Sequence, residues 1–114
     1  MHRGEVWLIN LDPTVGSEIR KTRPAVIVND DSVGILPLKV IVPITEWKER
    51  YAIAPWLVQI SPSAENGLDK ESAADAFQVR SVAQQRFVRL LGRLTGSQMT
   101  EIARALACVL AIEP

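Results

Sequence analysis

The sequence predicts an α+β fold that is mainly β: a small, strongly curved antiparallel sheet or β-barrel with one C-terminal helix laid against it. Two observations predict this class. Through residue 94 the apolar residues form runs of strand length separated by turn-forming residues, and from residue 99 they recur every three to four positions. The chain has 114 residues, near the usual size of one domain. We therefore expect a single domain over residues 1–114.

Three strands are predicted in the N-terminal part of the chain. The stretch GEVWLINLD is apolar on both sides for most of its length, which indicates a largely buried strand, and Asp12-Pro13-Thr14 ends it. The β-branched runs PAVIVN and LKVIVPI follow, separated by the turn-like DDSVG. We expect these two runs to pair as a hairpin.

Three more strands are predicted before the helix. The stretch APWLVQIS looks like a fourth strand, and SPSAENGLD looks like a loop with Asn66-Gly67 at its tip. SAADAFQVRSV and RFVRLLGRL look like two further short strands. The sequence therefore predicts about six strands with turn signals at short spacing.

The C-terminal segment has the period of an amphipathic helix. Its apolar stripe consists of Met99, Ile102, Ala103, Leu106, Val109 and Leu110. Either Thr95 or Ser97 can cap the N-terminus of the helix, and Thr95 has Gln98 in the capping-box position. Cys108 lies among Ala, Val and Leu, so we interpret it as a small buried hydrophobic residue rather than a nucleophile.

Composition excludes several classes of protein. The chain is 47% hydrophobic and 23% charged, which is ordinary for a folded soluble protein and unlike a disordered one. No apolar run approaches the roughly 18 residues of a membrane span, and the N-terminus lacks a signal-peptide pattern, so we expect a cytoplasmic protein without membrane association. With one Cys and one His there is no recognisable zinc spacing. We expect neither a metal nor a cofactor.

The formal net charge is zero, but the charges are unevenly distributed. Residues 20–23 hold a basic cluster of Arg20, Lys21 and Arg23. Further along the chain, four arginines follow one another with no acid between them: Arg80, Arg86, Arg89 and Arg93. Many nucleic-acid binders are strongly basic overall, and this chain is not. We still expect positive patches on its surface.

The basic cluster belongs to the segment GSEIRKTRPAVIVND, which has the residues of an anion-binding loop. Gly16 lets the backbone bend, and Ser17 and Thr22 supply hydroxyls around the cations. Arg23 precedes a proline and is therefore held extended, as a fixed cation at the start of a strand. From these residues alone, a solvated loop with locally paired charges is favoured by about two to one, because such loops are common.

Thr45 lies one strand further along and completes a possible active site. It follows Pro43 near the end of the predicted third strand, so the hairpin brings it close to Arg23. An arginine can stabilise charge on a phosphorane oxygen, while a hydroxyl positions a phosphate or relays a proton. Glu18 can then act as general base. Taken alone, most threonines at such positions only satisfy a backbone group.

The three tryptophans, Trp7, Trp47 and Trp56, have side chains that can stack on a nucleic-acid base, and His2 is the single histidine. Trp47 lies in a polar segment and is the better candidate for stacking on a base, whereas Trp7 lies in an apolar strand and is interpreted as core. His2 has no second histidine to work with, so we assign it no role.

Several stretches, taken in order, resemble the MazF/PemK family of toxin endoribonucleases. They are RGEVWLINLDPTVGSE, KTRPAVIVND, IVPIT, and FQVRSV with RFVRLLGRLT before the terminal helix. The combination of GSE, RPAV and PIT is specific, and the similarity runs from Arg3 to Ile112. The resemblance implies an SH3-like β-barrel of the MazF/CcdB toxin type, a homodimer, and metal-independent, sequence-specific cleavage of single-stranded mRNA. It also implies attack by the ribose 2′-hydroxyl, which leaves a 2′,3′-cyclic phosphate and a 5′-hydroxyl, and inhibition by a cognate antitoxin.

The resemblance also implies roles for individual residues. Arg23 of RPAV corresponds to the catalytic arginine, and Thr45 of PIT corresponds to the catalytic hydroxyl residue. Glu18 of GSE falls where some members have a functionally important acid. The residues expected to bind RNA are Ser17, Arg20, Lys21, Gln78, Arg80 and Trp47. The motif combination thus favours an anion-binding loop over a solvated one.

Two alternative functions remain open at this point. Toxins of the same barrel architecture, such as those of the CcdB family, inhibit a protein such as DNA gyrase. A non-catalytic barrel would use the same arginine and tryptophan side chains only to hold RNA or a peptide. The GSE, RPAV and PIT stretches favour the ribonuclease.

Overall fold

Seven antiparallel strands and a C-terminal helix make up most of the regular structure. The computed structural model describes residues 1–34 and 36–113. The strands are β1 (Glu5–Asn10), β2 (Thr22–Ile27), β3 (Leu38–Glu46), β4 (Leu57–Ile60), β5 (Ser72–Asp75), β6 (Arg80–Ala83) and β7 (Phe87–Arg93). The helix α1 spans Gly96–Leu110, and short 3₁₀ turns lie at Glu49–Ile53, Ala76–Gln78 and Gln84–Arg86. The predicted α+β class, mainly β with a C-terminal helix, is confirmed.

Strands β2 and β3 form the predicted hairpin. Ala25 lies opposite Pro43, and Ile27 lies opposite Ile41. Strand β1 pairs with β2 on one side and with β7 on the other, so the order across the sheet is β4-β5-β3-β2-β1-β7. The first and last strands along the chain, β1 and β7, are therefore neighbours in the sheet.

The segment 72–82, predicted as one strand, forms two. Strand β5 pairs with the C-terminal part of β3 and β6 with its N-terminal part, while the three-residue turn Ala76–Gln78 separates them. Asp75 caps this turn by accepting a hydrogen bond from the N–H of Phe77 at 3.1 Å. Such a local turn leaves the apolar pattern on either side intact, so periodicity alone did not reveal it. The prediction of about six strands was therefore too low.

The buried apolar residues form two clusters, and neighbouring residues of β2 alternate between them. Val26 belongs to the larger cluster, whereas Ala25 and Ile27 belong to the smaller one. The helix α1 contributes three buried residues to the larger cluster: Met99, Ile102 and Ala105. Residues 16–23, which carry the basic cluster, form a basic segment that leads from β1 into the first two residues of β2. Ile19 of this segment packs against the smaller cluster, which holds that part of the segment against the sheet. Burial of both faces explains why the strand sequences are apolar on both sides.

The helix α1 begins with a capping box at Thr95. The Thr95 hydroxyl accepts a hydrogen bond from the N–H of Gln98 at 3.1 Å, and the Gln98 side chain accepts one from the N–H of Thr95 at 2.9 Å. Of the two predicted caps, Thr95 is therefore the one used. Cys108 is exposed, and the prediction that it is buried was wrong. It follows the buried Met99 by about two and a half turns, which puts it on the opposite face of the helix.

The described residues contain neither a membrane-spanning helix nor a side-chain cluster suited to a metal. No helix among them combines the length and the apolar character needed to cross a bilayer. No three His, Cys, Asp or Glu side chains in residues 1–34 and 36–113 lie together in a way that can hold a metal ion.

Candidate functional site

Arg23 and Thr45 line one groove of the protein, with a volume of about 250 Å³. Arg23 is the second residue of β2, and Thr45 is the last but one of β3. The hairpin register pairs Ala25 with Pro43, and the same register continued by two residues sets Arg23 against Thr45. The hairpin thus brings together the two side chains that the sequence indicated as a pair.

The guanidinium of Arg23 is only partly engaged by the protein. Its Nε donates a hydrogen bond to the carbonyl oxygen of Arg20 at 3.3 Å. The two terminal nitrogens have no protein acceptor among the described residues. They are therefore free to donate to an anion, in the forked geometry with which arginine binds phosphate.

Thr45 lines the same groove. The residue is half-buried, and it lies opposite Ala73 of β5. Within residues 1–34 and 36–113 no protein group forms a hydrogen bond with the hydroxyl, so it can both donate and accept. An arginine and a free hydroxyl at one place can bind a phosphodiester.

One wall of this groove is the loop between β4 and β5, which Asn66 holds together. Asn66 is 1% exposed, and its Oδ1 accepts hydrogen bonds from the N–H groups of Ser63 and Leu68. Gly67 has a φ of 68°, and a Cβ there would lie 2.1 Å from the carbonyl oxygen of Leu91. The loop therefore lies directly against β7. Asn66, which was predicted at the tip of this loop, is instead buried and holds the loop together by hydrogen bonds.

Four charged residues line the groove that sequence analysis did not assign to it: Glu46, Asp69, Lys70 and Arg89. Lys70 Nζ lies 3.8 Å from Glu46 Oε2, so these two charges are paired. Arg89 reaches the groove because β7 pairs with β1, which places it opposite Leu8. A pairing between the first and last strands leaves no local signal in the sequence, and Arg89 was therefore missed as a site residue.

Four other predicted residues line a second groove of about 360 Å³. They are Ser17, Glu18, Gln78 and Arg80. The Oε1 of Glu18 accepts a hydrogen bond from the N–H of Val15 at 2.6 Å. Arg23 and Thr45 do not line this groove, but Pro43, which precedes Thr45 by two residues on β3, does.

The side chain of Gln78 holds the basic segment in place. Its Oε1 accepts a hydrogen bond from the N–H of Ile19 at 2.6 Å, and its Nε2 donates one to the carbonyl oxygen of Ser17 at 3.2 Å. The guanidinium of Arg80 donates to the carbonyl oxygen of Leu11 at 3.2 Å. Both side chains, predicted to bind RNA, thus make contacts that order the chain between β1 and β2.

Burial raises the pKa of Asp75, the residue that caps the turn before Gln78. Hydrogen bonds from Phe77 and Gln78 oppose this effect without cancelling it. The Asp75 carboxylate therefore links the cap of the turn Ala76–Gln78 to the side chain that holds the basic segment.

The remaining predicted contacts lie outside both grooves. Arg20 and Lys21 are exposed on the basic segment, and Lys21 has a φ of 68°. Trp47 is half-buried and packs edge-to-face on Tyr51, with 5.9 Å between the ring centroids, so it is less exposed than predicted. Trp56 is more exposed than Trp47, with 38% of its surface accessible to solvent.

Comparison with known proteins identifies the family. A model of PemK-like, MazF-like toxins of type II toxin-antitoxin systems matches residues 2–110. This chain belongs to that family. It is 33% identical over 112 residues to the endoribonuclease MazF9 of Mycobacterium tuberculosis, a match that covers 93% of this chain and 92% of that protein. The resemblance found in the sequence is therefore confirmed.

Solved structures share the fold. MazF from Deinococcus radiodurans superposes with a TM-score of 0.79 at 20% identity, covering 98% of this chain and 97% of that one. An endoribonuclease in complex with its cognate antitoxin, from a mycobacterial species, superposes with a TM-score of 0.78 at 22% identity, covering 100% of this chain and 98% of that one. These superpositions confirm the predicted MazF-type toxin fold.

Proposed function

We propose that this protein is a toxin endoribonuclease that cleaves single-stranded RNA at short specific sequences. Its membership of the PemK-like, MazF-like family supports the proposal, as does the name of the related endoribonuclease MazF9. The observation that carries it is the shared groove of Arg23 and Thr45. Phosphodiester cleavage passes through a transition state with extra negative charge, which a fixed cation and a hydrogen-bond donor stabilise.

In the proposed reaction the ribose 2′-oxygen attacks the adjacent phosphorus, and the bond from phosphorus to the 5′-oxygen breaks. The products are a 2′,3′-cyclic phosphate and a 5′-hydroxyl, and no water is consumed. Arg23 stabilises the charge on the non-bridging oxygens, and the Thr45 hydroxyl positions the phosphate or relays the proton that the 5′-oxygen gains. Because the substrate supplies its own nucleophile, we propose that the reaction needs neither a metal nor a cofactor.

Glu18 is proposed as the general base that removes the proton of the 2′-hydroxyl. Its carboxylate lies in the second groove, held by the N–H of Val15. For Glu18 to act on a ribose next to Arg23, its side chain has to leave the N–H of Val15 and turn toward Arg23, because Gln78 holds the backbone of Ser17 and Ile19. The exposure of residues 15–18 is compatible with such an adjustment.

The proposed RNA contacts follow the basic segment and the second groove. Arg20 and Lys21 are exposed there and are available to phosphates. Ser17, Gln78 and Arg80 line the second groove beside them, and we propose that nucleotides flanking the cut bond bind along this surface. Trp47 follows Glu46, which lines the first groove, and is proposed as a stacking residue there.

We propose that the protein acts as a homodimer and is inhibited by a cognate antitoxin. At the end of α1, 54% of the surface of Leu110 and 58% of the surface of Ile112 is exposed to solvent. An exposed apolar surface of this kind suits a symmetric interface between two copies of the chain. The mycobacterial endoribonuclease of the same fold was solved in complex with its cognate antitoxin. An acidic, partly disordered antitoxin tail over the basic segment would compete with RNA.

The test is to incubate the purified protein with a long single-stranded RNA in EDTA and to map the ends that form. We expect discrete cuts with cyclic phosphate and 5′-hydroxyl ends, and a rate at least about 100-fold lower for Arg23→Ala, because a stabilising donor is lost. Arg104→Ala, which removes an exposed arginine from α1, is the matched control and should cut normally.

Two other outcomes would support the alternative functions. RNA that binds tightly but stays intact would indicate a non-catalytic RNA-binding barrel. If the folded protein neither binds nor cuts RNA, this result would indicate a toxin with a protein target. Either result would contradict the proposed activity.

A further inference from the structure

Phe77 is an aromatic residue that the fold leaves exposed beside the proposed RNA surface. The sequence contains two phenylalanines, and Phe87 packs against the smaller apolar cluster. Phe77, in contrast, is 67% exposed and lines the second groove. It lies in the turn Ala76–Gln78, which follows β5. Most of its side chain is therefore available to a ligand rather than used by the core.

The ring of Phe77 is held in place although it is exposed. It packs edge-to-face on Trp56, with 6.3 Å between the ring centroids and 62° between the ring planes. The N–H of Phe77 donates to the Asp75 carboxylate at 3.1 Å, and the next residue, Gln78, binds the backbone of the basic segment. A ring whose position is already fixed loses little conformational freedom when a ligand packs on it.

The second groove follows the face of the sheet that carries Arg23 and Thr45. Side chains alternate between the two faces of a strand, so Arg23 shares a face with Ala25, and Thr45 shares a face with Pro43. Ala25 lies directly opposite Pro43, which puts all four side chains on one face. Pro43 lines the second groove and lies two residues, about 7 Å, from Thr45 along β3. The groove that holds Phe77 is therefore next to the pair proposed to hold the reacting phosphate.

Cations lie beside Phe77 on the same part of the surface. The Arg80 guanidinium lines the second groove and, among the described residues, donates only to the carbonyl oxygen of Leu11. Its other N–H groups remain for a ligand. Arg20 and Lys21 are exposed on the adjoining basic segment. Proteins bind single-stranded nucleic acid with aromatic rings that stack on bases and cations that follow the phosphates. This combination favours a nucleotide over an apolar peptide.

We propose that Phe77 stacks on a base of the RNA strand next to the cut bond, while its ring stays in contact with Trp56. This inference rests on the proposed function. The contact tolerates different sequences, because every base has a face on which a ring can stack, and it involves no charge on the protein. It therefore adds affinity and positions the strand without adding to the salt dependence of binding.

The experiment measures Kd for an RNA of the mapped cleavage sequence in which a 2′-deoxyribose at the cut prevents turnover. For Phe77→Ala we expect a Kd higher by about 5-fold to 100-fold, the scale of one stacking contact, and an unchanged slope of log K against log salt. Phe77→Tyr keeps the ring and should bind like the wild type, whereas Phe77→Leu keeps only apolar bulk and should bind nearly as weakly as Phe77→Ala. Ile53→Ala, which truncates a 91% exposed residue outside the second groove, is the matched control.

A second set of RNAs locates the contact. Each lacks one base near the cut and keeps the sugar and the phosphate at that position. At one position, removal of the base should weaken binding to the wild type and leave binding to Phe77→Ala unchanged, because the partner of that base is already gone. If Phe77 only supported the structure of the turn, its substitution would weaken binding to every RNA of the set equally, and the inference would be wrong.

Four further results would overturn this inference or its basis. If Phe77→Ala binds as tightly as the wild type while the wild type cleaves RNA, the assignment of Phe77 is wrong and the proposed function stands. If Phe77→Leu retains full affinity, the contact needs apolar bulk and not a ring. If Phe77→Ala converts a dimer into a monomer in sedimentation experiments, the ring belongs to an interface between two copies of the chain. If the wild type neither binds nor cleaves RNA, the proposed function itself fails.

Discussion

Arg23 differs from the neighbouring cations in how firmly its position is set. Pro24 restricts its backbone, β2 holds that backbone in the sheet, and its Nε donates to the carbonyl oxygen of Arg20. The side chains of Arg20 and Lys21 are exposed and make no hydrogen bond among the described residues. A charge that is in place before the reaction stabilises a transition state without paying for reorganisation. Among the residues of the basic segment, Arg23 is therefore the best suited to catalysis.

The role proposed for Glu18 can be tested by removing its charge alone. Glu18→Gln retains an oxygen that can accept the hydrogen bond from the N–H of Val15, so the local turn is kept. If Glu18 is the general base, kcat should fall by roughly 100-fold or more, because general base catalysis contributes on that scale. Kd for the uncleavable RNA should change little, since the residue is proposed to act on a proton rather than to hold a phosphate.

Single-turnover cleavage and equilibrium binding distinguish the possible outcomes for Glu18. Glu101→Gln, which neutralises an exposed acid of α1, serves as the control. Equal losses in turnover and affinity would indicate that Glu18 supports the structure of the loop or binds RNA.

At the scale of elements, the turn Ala76–Gln78 has two effects. It separates β5 from β6, which pair with different parts of β3. It also directs Gln78 toward the basic segment, where the side chain binds the backbone of Ser17 and Ile19. The position of the basic segment thus depends on a turn much further along the chain. The two hydrogen bonds join residues that are 59 and 61 positions apart.

The raised pKa of Asp75, which caps this turn, predicts a pH-dependent stability. The pKa of Asp75 in the folded protein lies above the ordinary value of 3.8 for an aspartate, so the folded state binds the proton more tightly than the unfolded state. The stability that Asp75 contributes is therefore full below 3.8 and is lost as the pH rises through the raised pKa. Asp75→Asn cannot ionise, yet it keeps an acceptor for the N–H of Phe77.

Relative to the wild type, Asp75→Asn should accordingly gain free energy of unfolding as the pH rises from roughly 4 to roughly 7. Urea denaturation at several pH values within this window measures the difference. A difference that stays constant across the window would show that Asp75 does not titrate differently in the two states. If the substitution also changes the strength of the hydrogen bond to Phe77, it shifts the free energy of unfolding by the same amount at every pH. The pH dependence of the difference between the two proteins is then unaffected.

Elements with a local signal were predicted well, and elements that depend on distant contacts were not. The hairpin of β2 and β3 and the helix α1 follow from β-branched runs, a turn, and an apolar stripe with a capping box. The turn at Ala76–Gln78 was missed because its flanks keep the pattern of a strand. The pairing of β1 with β7 joins residues that lie 78 to 88 positions apart, from Ile9 opposite Phe87 to Glu5 opposite Arg93.

At the scale of the whole molecule, the neutral net charge hides an uneven use of the cations. The sequence contains 13 Lys and Arg and 13 Asp and Glu. Arg80 and Arg86 donate hydrogen bonds to backbone carbonyls and Arg93 is paired with Glu5, so the number of arginines in the sequence overstates the number of guanidinium groups with all their donors available to a ligand. Arg23 and Arg89 are the arginines that the fold leaves available in one groove.

The candidate site was predictable only as far as the hairpin reaches. Arg23 and Thr45 meet because β2 and β3 are adjacent in both sequence and space. Arg89 joins them through the first and last strands, which no periodicity links. Glu18 lines the second groove, and its position five residues before Arg23 does not predict which groove an exposed loop residue lines.

The most direct test of the proposed mechanism compares two RNA strands that differ by one oxygen atom. Both carry the mapped cleavage sequence, and in one the ribose on the 5′ side of the cut bond is replaced by 2′-deoxyribose. The mechanism predicts that the protein binds both strands but cuts only the all-ribose strand at this position. Cleavage of the deoxy strand at the same bond would contradict it, because without the 2′-oxygen no cyclic phosphate forms and the nucleophile must be another group.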